Sequence, residues 1–259
     1  VDPDTDLSTW QSVGTALTAL KAGGEECPLV TAWQSWIHLE NLSAYHDVPF
    51  ATQDNGFAGL DTELTLNGEA QVAHLSAMGQ WAKDGKFIYT GRRNEGGANF
   101  RSGECALFTE SSAGYAGIKK EATFDFEVRP LPYWKGLGNS PQNTIIGGAS
   151  LWVMEGHSDA EYTGAGEFLS FLSSTDVQAQ WHQDTGYLPI TAEAGDATRA
   201  SGFYAANPGT EVAVIQMTAN KPTANSNGLR LGSFDQISCI ICILYTSDSA
   251  SCLTCIECL

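Results

Sequence analysis

The chain has 259 residues, enough for a sizeable core; with 42% hydrophobic and 10% aromatic residues, a globular fold is expected rather than disorder. A formal net charge of −17 argues against a nucleic-acid partner, which needs clustered Lys and Arg. No stretch approaches the ~18 uninterrupted apolar residues of a membrane-spanning helix.

The segment Ser8-Thr9-Trp10-Gln11 has the form of a capping box, in which serine and glutamine each satisfy an orphan amide. The helix that follows carries Val13, Leu17 and Leu20 and is expected to stop at Gly23-Gly24. Leu29-Val30 marks a short strand, and helices are predicted over 36–45 and 68–83. Residues 105–109 (Cys-Ala-Leu-Phe-Thr) form a predicted buried strand, with Ser111-Ser112 where the next helix begins. Phe124, Phe126 and Val128 alternate with Asp125, Glu127 and Arg129, the period of a half-buried strand. After Gly147-Gly148, the apolar run 149–154 is predicted to be a strand covered on both faces. Ser158 and Glu161 form another capping box, and Ala165, Phe168, Leu169 and Leu172 then fall on one helical stripe. A last clear helix contains Val177 and Trp181 and ends at Gly186, before Tyr187-Leu188-Pro189-Ile190. Strands alternating with helices predict an α/β architecture.

The pattern breaks at Ser238. Cys239, Cys242, Cys252, Cys255 and Cys258 crowd the final segment without periodicity or caps. Their spacing superficially resembles a metal or iron–sulfur site. The abrupt change of composition favours an aberrant, non-native tail over 238–259, so no metal and no cofactor are expected. Cys27 and Cys105 in the body allow either one disulfide or two buried thiols.

Catalytic signatures are sparse. Neither a G-x-S-x-G elbow nor H-E-x-x-H is present, and Glu110-Ser111-Ser112-Ala113-Gly114 fits neither. His38, His46, His74, His157 and His182 lack ligand spacing and are read as surface or hydrogen-bonded structural residues. Glu40 with Glu95 or Glu110 could form a glycosidase acid/base pair, but any acidic chain offers such pairs. A non-enzymatic protein is expected.

Binding chemistry is better represented. Trp33 and Trp36 flank a strand-to-helix junction, where an indole face can pack on the C–H face of a polyol, although both could equally be core residues. Ser111 and Ser112 stand at a predicted helix start, which favours an anion or serves as a plain cap. Gly147 and Gly148 would let backbone approach a ligand, or simply turn the chain. Tyr187 could donate its phenol or merely pack.

Taken together, 33–41 (Trp-Gln-Ser-Trp-Ile-His-Leu-Glu-Asn), 141–154 (Pro-Gln-Asn-Thr-Ile-Ile-Gly-Gly-Ala-Ser-Leu-Trp-Val-Met) and 181–191 (Trp-His-Gln-Asp-Thr-Gly-Tyr-Leu-Pro-Ile-Thr) resemble the glycerol-3-phosphate-binding receptors of bacterial ABC importers. Asn55-Gly56-Phe57, Gly202-Phe203-Tyr204 and Gly228-Leu229-Arg230-Leu231-Gly232 fit as well, so the resemblance spans about residues 7–237. It implies a type II periplasmic-binding-protein-like fold, with 1–237 a fragment made mainly of the C-terminal lobe. The implied protein is a monomeric periplasmic receptor that takes glycerol 3-phosphate or glycerophosphodiesters to membrane permease subunits. By position, Trp33 matches a tryptophan that packs on the glycerol part, Ser111 a ligand-contacting serine, Gly148 a backbone contact and Tyr187 a hydrogen-bonding tyrosine. Trp36, Ser112 and Gly147 are weaker candidates. Cys27 and Cys105 match family cysteines, which places them in the native body. Two departures accompany the likeness: most of the first lobe is missing, and Ser238 stands where the family has a phosphate-binding arginine. Arg230 is a candidate substitute, since a guanidinium is the natural bidentate partner of phosphate. The start at Val1-Asp2-Pro3-Asp4 shows no signal-peptide pattern, which implies a removed leader or a missing beginning. A neutral oligosaccharide or polyol receptor and a carbohydrate-active hydrolase are the alternative expectations.

Overall fold

The structure is a computed structural model that describes residues 1–228. Arg230, Ser238 and the cysteines of the 238–259 tail lie outside the described residues. Helix α1 (Trp10–Ala22) starts one residue later than the sequence implied, because Thr9 and Ser12, not Ser8 and Gln11, form the capping box. Ser8 is instead occupied by Asp6, to whose carboxylate it donates at 2.7 Å. The buried face of α1, with Trp10, Val13 and Leu17, packs against Leu29, Leu42, Met78, Trp81 and Phe87.

Among the described residues, the sheet has three parallel strands in the order β2 (Phe87–Ile88), β1 (Cys27–Thr31), β3 (Cys105–Thr109). Every residue of the central strand β1 is buried, as a strand covered on both faces requires. Cys27 pairs in register with Cys105, and the two are joined as a disulfide across a sequence separation of 78 residues. At the opposite, carboxyl end of the same ladder, Thr31 pairs with Thr109.

Between β1 and α4 (Glu69–Lys83) the chain forms a π-helix, Trp36–Asn41, that continues into α2 (Leu42–Tyr45); the sequence pattern suggested one ordinary helix here. A left-handed turn, α3 (Thr52–Gly56), follows, with positive φ at Gln53, Asp54 and Asn55. Asn55 stabilises it by accepting the amide of Ala51 at 2.9 Å. Helix α5 (Gly96–Arg101) precedes β3, and a 3₁₀ turn (Ser112–Gly114) leads into α6 (Tyr115–Glu121). The remaining helices among the described residues are α7 (Asp159–Leu172), α8 (Thr175–Thr185), α9 (Ala192–Ala200), α10 (Phe203–Ala206) and α11 (Val212–Thr218).

Two predicted strands do not form. Residues 124–128 do alternate in exposure, but they join no ladder among the described residues and pack on helices instead. Phe124 meets Phe100 of α5 edge-on at 5.6 Å, and Phe126 meets Tyr115 of α6 at 5.8 Å. Residues 149–154 form neither a strand nor core: Trp152 is 79% exposed, and Leu151, Val153 and Met154 are exposed too. An apolar run becomes a buried strand only if neighbours satisfy its amides and cover its faces. Among the described residues none does so. The stripe of α7 is likewise only half covered, with Phe168 exposed.

A buried polar chain fixes the carboxyl end of the sheet. The Trp134 indole N–H donates to His74 Nδ1 at 3.0 Å, and His74 Nε2 lies 3.0 Å from His38 Nδ1. His38 Nε2 sits 3.0 Å from both Thr31 Oγ1 and Thr109 Oγ1. An indole can only donate, so His74 carries its proton on Nε2 and donates a hydrogen bond from it to His38 Nδ1. His38 then holds its own proton on Nε2, aimed at the two threonines. Burial depresses the His38 pKa to about 3 and lowers that of His74, so both imidazoles stay neutral.

The folded state therefore binds fewer protons than the unfolded chain below the unfolded histidine pKa of about 6.5. The stability from this chain is complete above that value and is lost as pH falls toward about 3. Urea unfolding at acidic and neutral pH is expected to show a steep loss of stability on acidification, and a shallower one in the His38→Gln/His74→Gln double variant. Replacing Cys27 and Cys105 by serine opens a long loop and is expected to cost about 2–5 kcal/mol in the same assay.

Candidate functional site

In open α/β sheets ligands settle outside the carboxyl ends of the strands. Here that edge is where β1 runs into Ala32-Trp33, and β3 into Glu110-Ser111. Trp33 has φ 47°. A bulky residue in the left-handed region is strained and persists only where the surroundings enforce it. They do so through the Trp33 amide, which donates to Arg93 O at 2.8 Å, and the Trp33 carbonyl, which accepts from the Ile37 amide at 2.9 Å. Trp33 is 37% exposed and lines a cleft of about 2160 Å³.

Trp33, Trp36, Ser111, Ser112, Gly147, Gly148 and Tyr187 all line that cleft. Close approaches link them into a continuous wall. A Cβ on Gly147 would lie 2.7 Å from the Trp36 ring, and one on Gly148 3.2 Å from the Tyr187 ring. One on Gly186, the left-handed cap of α8, would meet the Ser112 carbonyl at 2.6 Å. The loop 143–148 is tied to the π-helix through Asn41, whose side chain accepts the Ile145 amide at 2.9 Å and donates to the Trp36 carbonyl at 3.1 Å. Tyr187 is positioned from behind: its carbonyl lies 2.7 Å from His182 Nδ1, and His182 Nε2 lies 3.0 Å from the Tyr204 hydroxyl. Trp36 is half-buried, and its buried indole N–H has no hydrogen-bond partner among the described residues.

Ser111 caps the 3₁₀ turn, accepting the Ala113 amide at 3.3 Å, and its hydroxyl keeps a proton to donate. The helix that follows is only seven residues long and is preceded by the 3₁₀ turn. Any preference for an anion therefore comes from local hydroxyl donors more than from a long helix dipole.

Sequence reasoning did not assign Glu110 to this wall. Its half-buried carboxylate accepts the Ser111 amide at 2.7 Å. Burial pushes its pKa up to about 7, against the lowering effects of the Ser111 amide, Arg101 and Trp33. Gly114 makes room for it, since a Cβ there would lie 2.5 Å from Glu110 Cγ. Arg92, Arg93 and Asn94 line the cleft as well. Of the other two carboxylates considered for acid/base work, Glu40 is buried, while Glu95 is exposed and accepts the Arg93 amide at 2.7 Å. Among the described residues, no cluster of three or more His, Cys, Asp or Glu could hold a metal.

Comparison with known proteins matches the chain, over residues 3–212, to the family described as bacterial extracellular solute-binding protein. The sn-glycerol-3-phosphate-binding periplasmic protein UgpB of Escherichia coli K12 is 44% identical over 241 residues, covering 93% of this chain and 55% of that protein. UgpB of Shigella flexneri is also 44% identical with the same coverage. The chain thus spans just over half the length of these relatives. Among solved structures, UgpB from Mycobacterium tuberculosis in complex with glycerophosphocholine superposes with a TM-score of 0.74 at 21% identity, covering 99% of this chain and 62% of that one. The cyclic alpha-maltosyl-1,6-maltose binding protein from Arthrobacter globiformis gives 0.70 at 19% identity, covering 100% and 64%. These structural likenesses establish the α/β binding-protein fold.

Gly148 has φ 109°, which an L-side chain rarely adopts. Gly148→Ala is expected to destabilise the chain by about 1–2 kcal/mol and to displace the Tyr187 ring, visible as shifted tyrosine resonances by NMR. Unchanged stability and unchanged resonances would contradict the described packing.

Proposed function

This chain belongs to the bacterial extracellular solute-binding proteins, and we propose that it captures sn-glycerol 3-phosphate or a glycerophosphodiester for a membrane importer. The observation that carries this assignment is the convergence of Trp33, Ser111, Gly148 and Tyr187 on one cleft at the carboxyl edge of the sheet. Their chemistry suits such a ligand: an indole face for the C–H side of glycerol, and a hydroxyl, an open backbone and a phenol for oxygens. The relatives at 44% identity are named for glycerol 3-phosphate, and the M. tuberculosis structure holds glycerophosphocholine. Both names support the same ligand class.

In the mechanism that follows, the ligand seats against Trp33 and the loop 147–148, and closure of the cleft selects the form that permease subunits recognise. No bond is made or broken, and the protein acts as a monomer in the periplasm without a cofactor or nucleic acid. Residues 1–237 supply mainly one lobe, and the 238–259 tail has no part in capture. A net charge of −17 does not oppose this, because affinity for one phosphate depends on local donors rather than on total charge.

Calorimetry separates the alternatives. Glycerol 3-phosphate or glycerophosphocholine is expected to bind this chain and maltose not to, with Trp33→Ala weakening binding about tenfold or more. Maltose binding in preference to both phosphate esters would favour a neutral-sugar receptor. Release of a hydrolysis product would favour a hydrolase.

A further inference from the structure

Resting on the assignment of this cleft as the ligand site, we infer that Arg93 is the residue whose guanidinium recognises the phosphate of the ligand. The topology of the sheet argues for it first. The three strands run parallel, so the segments that follow β2, β1 and β3 all leave from the same carboxyl edge. The segment after β1 brings Trp33 to the cleft, the one after β3 brings Ser111, and the one after β2 brings Arg93. One ligand seated across that edge meets an indole, a hydroxyl and a guanidinium supplied by adjacent strands.

The backbone that carries Arg93 is fixed at several points. Its carbonyl accepts the Trp33 amide at 2.8 Å, which joins the two residues directly. Its own amide donates to Glu95 Oε2 at 2.7 Å. Gly91 leaves room for that carboxylate, since a Cβ there would lie 2.5 Å from Glu95 Cδ. Gly96 then presses on the end of β1, where a Cβ would meet the Thr31 carbonyl oxygen at 2.6 Å. A long side chain contributes most to recognition when its point of attachment is held in this way.

The charges around the cleft single out the same residue. Among the described residues its lining contains no lysine and three arginines, Arg92, Arg93 and Arg129. Arg129 is already engaged, donating to Glu127 Oε2 at 2.8 Å, to Thr5 O at 2.7 Å and to Pro3 O. Arg92 is half-buried and interacts within the protein. The Arg93 side chain is exposed and has no hydrogen bond or ion pair among the described residues. The nearby Glu95 carboxylate serves the Arg93 amide and not its guanidinium. That leaves a planar fork whose natural partner is a phosphate, met through two parallel hydrogen bonds.

Calorimetry with glycerol 3-phosphate tests this on the wild-type chain, Arg93→Gln, Arg93→Lys and Lys83→Gln. Arg93→Gln is expected to weaken binding about tenfold or more. Arg93→Lys is expected to lose less, because an ammonium keeps the charge without the fork. Lys83→Gln removes an equal charge from the exposed end of α4, away from the cleft lining, and is expected to change affinity by about twofold at most. A second readout follows from the charge: wild-type affinity is expected to fall between about 50 and about 500 mM salt, and that of Arg93→Gln to fall less. If Arg93→Gln binds as tightly as the wild type, or loses no more than Lys83→Gln, the role of Arg93 is overturned while the cleft assignment stands. An unchanged salt dependence in Arg93→Gln would overturn it too. If the wild type binds neither glycerol 3-phosphate nor glycerophosphocholine, the cleft assignment fails, and the role of Arg93 fails with it.

Discussion

The strands β1 and β3 are fastened to each other at both ends, and the geometry of the cleft follows from that. At the amino end Cys27 and Cys105 are covalently joined, and at the carboxyl end Thr31 and Thr109 share the His38 imidazole. The two strands cannot slip past each other without breaking one of these links. The segments leaving their carboxyl ends, Ala32-Trp33 and Glu110-Ser111, therefore emerge side by side. That adjacency brings Trp33 and Glu110 to one cleft.

The histidines matter for the same reason. A buried hydrogen-bonded chain from Trp134 through His74 to His38 is directional, because the indole can only donate. It also ties the loop bearing Trp134, the helix α4 and the π-helix to the sheet edge. A buried polar network holds one arrangement only while every member is satisfied. The carboxyl end of the sheet is thus held by neutral imidazoles, and not by ion pairs.

Much of this was legible in the sequence. The strand over 105–109, the ends of α1 and α4 and the Ser158–Glu161 capping box are local signals, and the structure shows them. The sequence also singled out seven residues that the structure brings to one cleft. The 124–128 and 149–154 strands were misread because alternation and apolarity report which faces prefer burial, not whether a neighbouring strand exists. The π-helix was missed because its extra residue per turn leaves no mark in a short apolar run. Glu110 was considered only as a catalytic acid. It lines one cleft with Trp33, 77 positions away in the chain, which no local pattern reveals.

The central claim is that a glycerophosphodiester sits between the Trp33 indole and the Ser111 hydroxyl at the carboxyl edge of the sheet. A crystal structure of the chain grown with glycerophosphocholine tests it most directly. The expected density has the phosphate within hydrogen-bonding distance of Ser111 Oγ, with the glycerol carbons against the indole of Trp33. Ligand density on another surface, with this cleft filled only by water, would contradict the account.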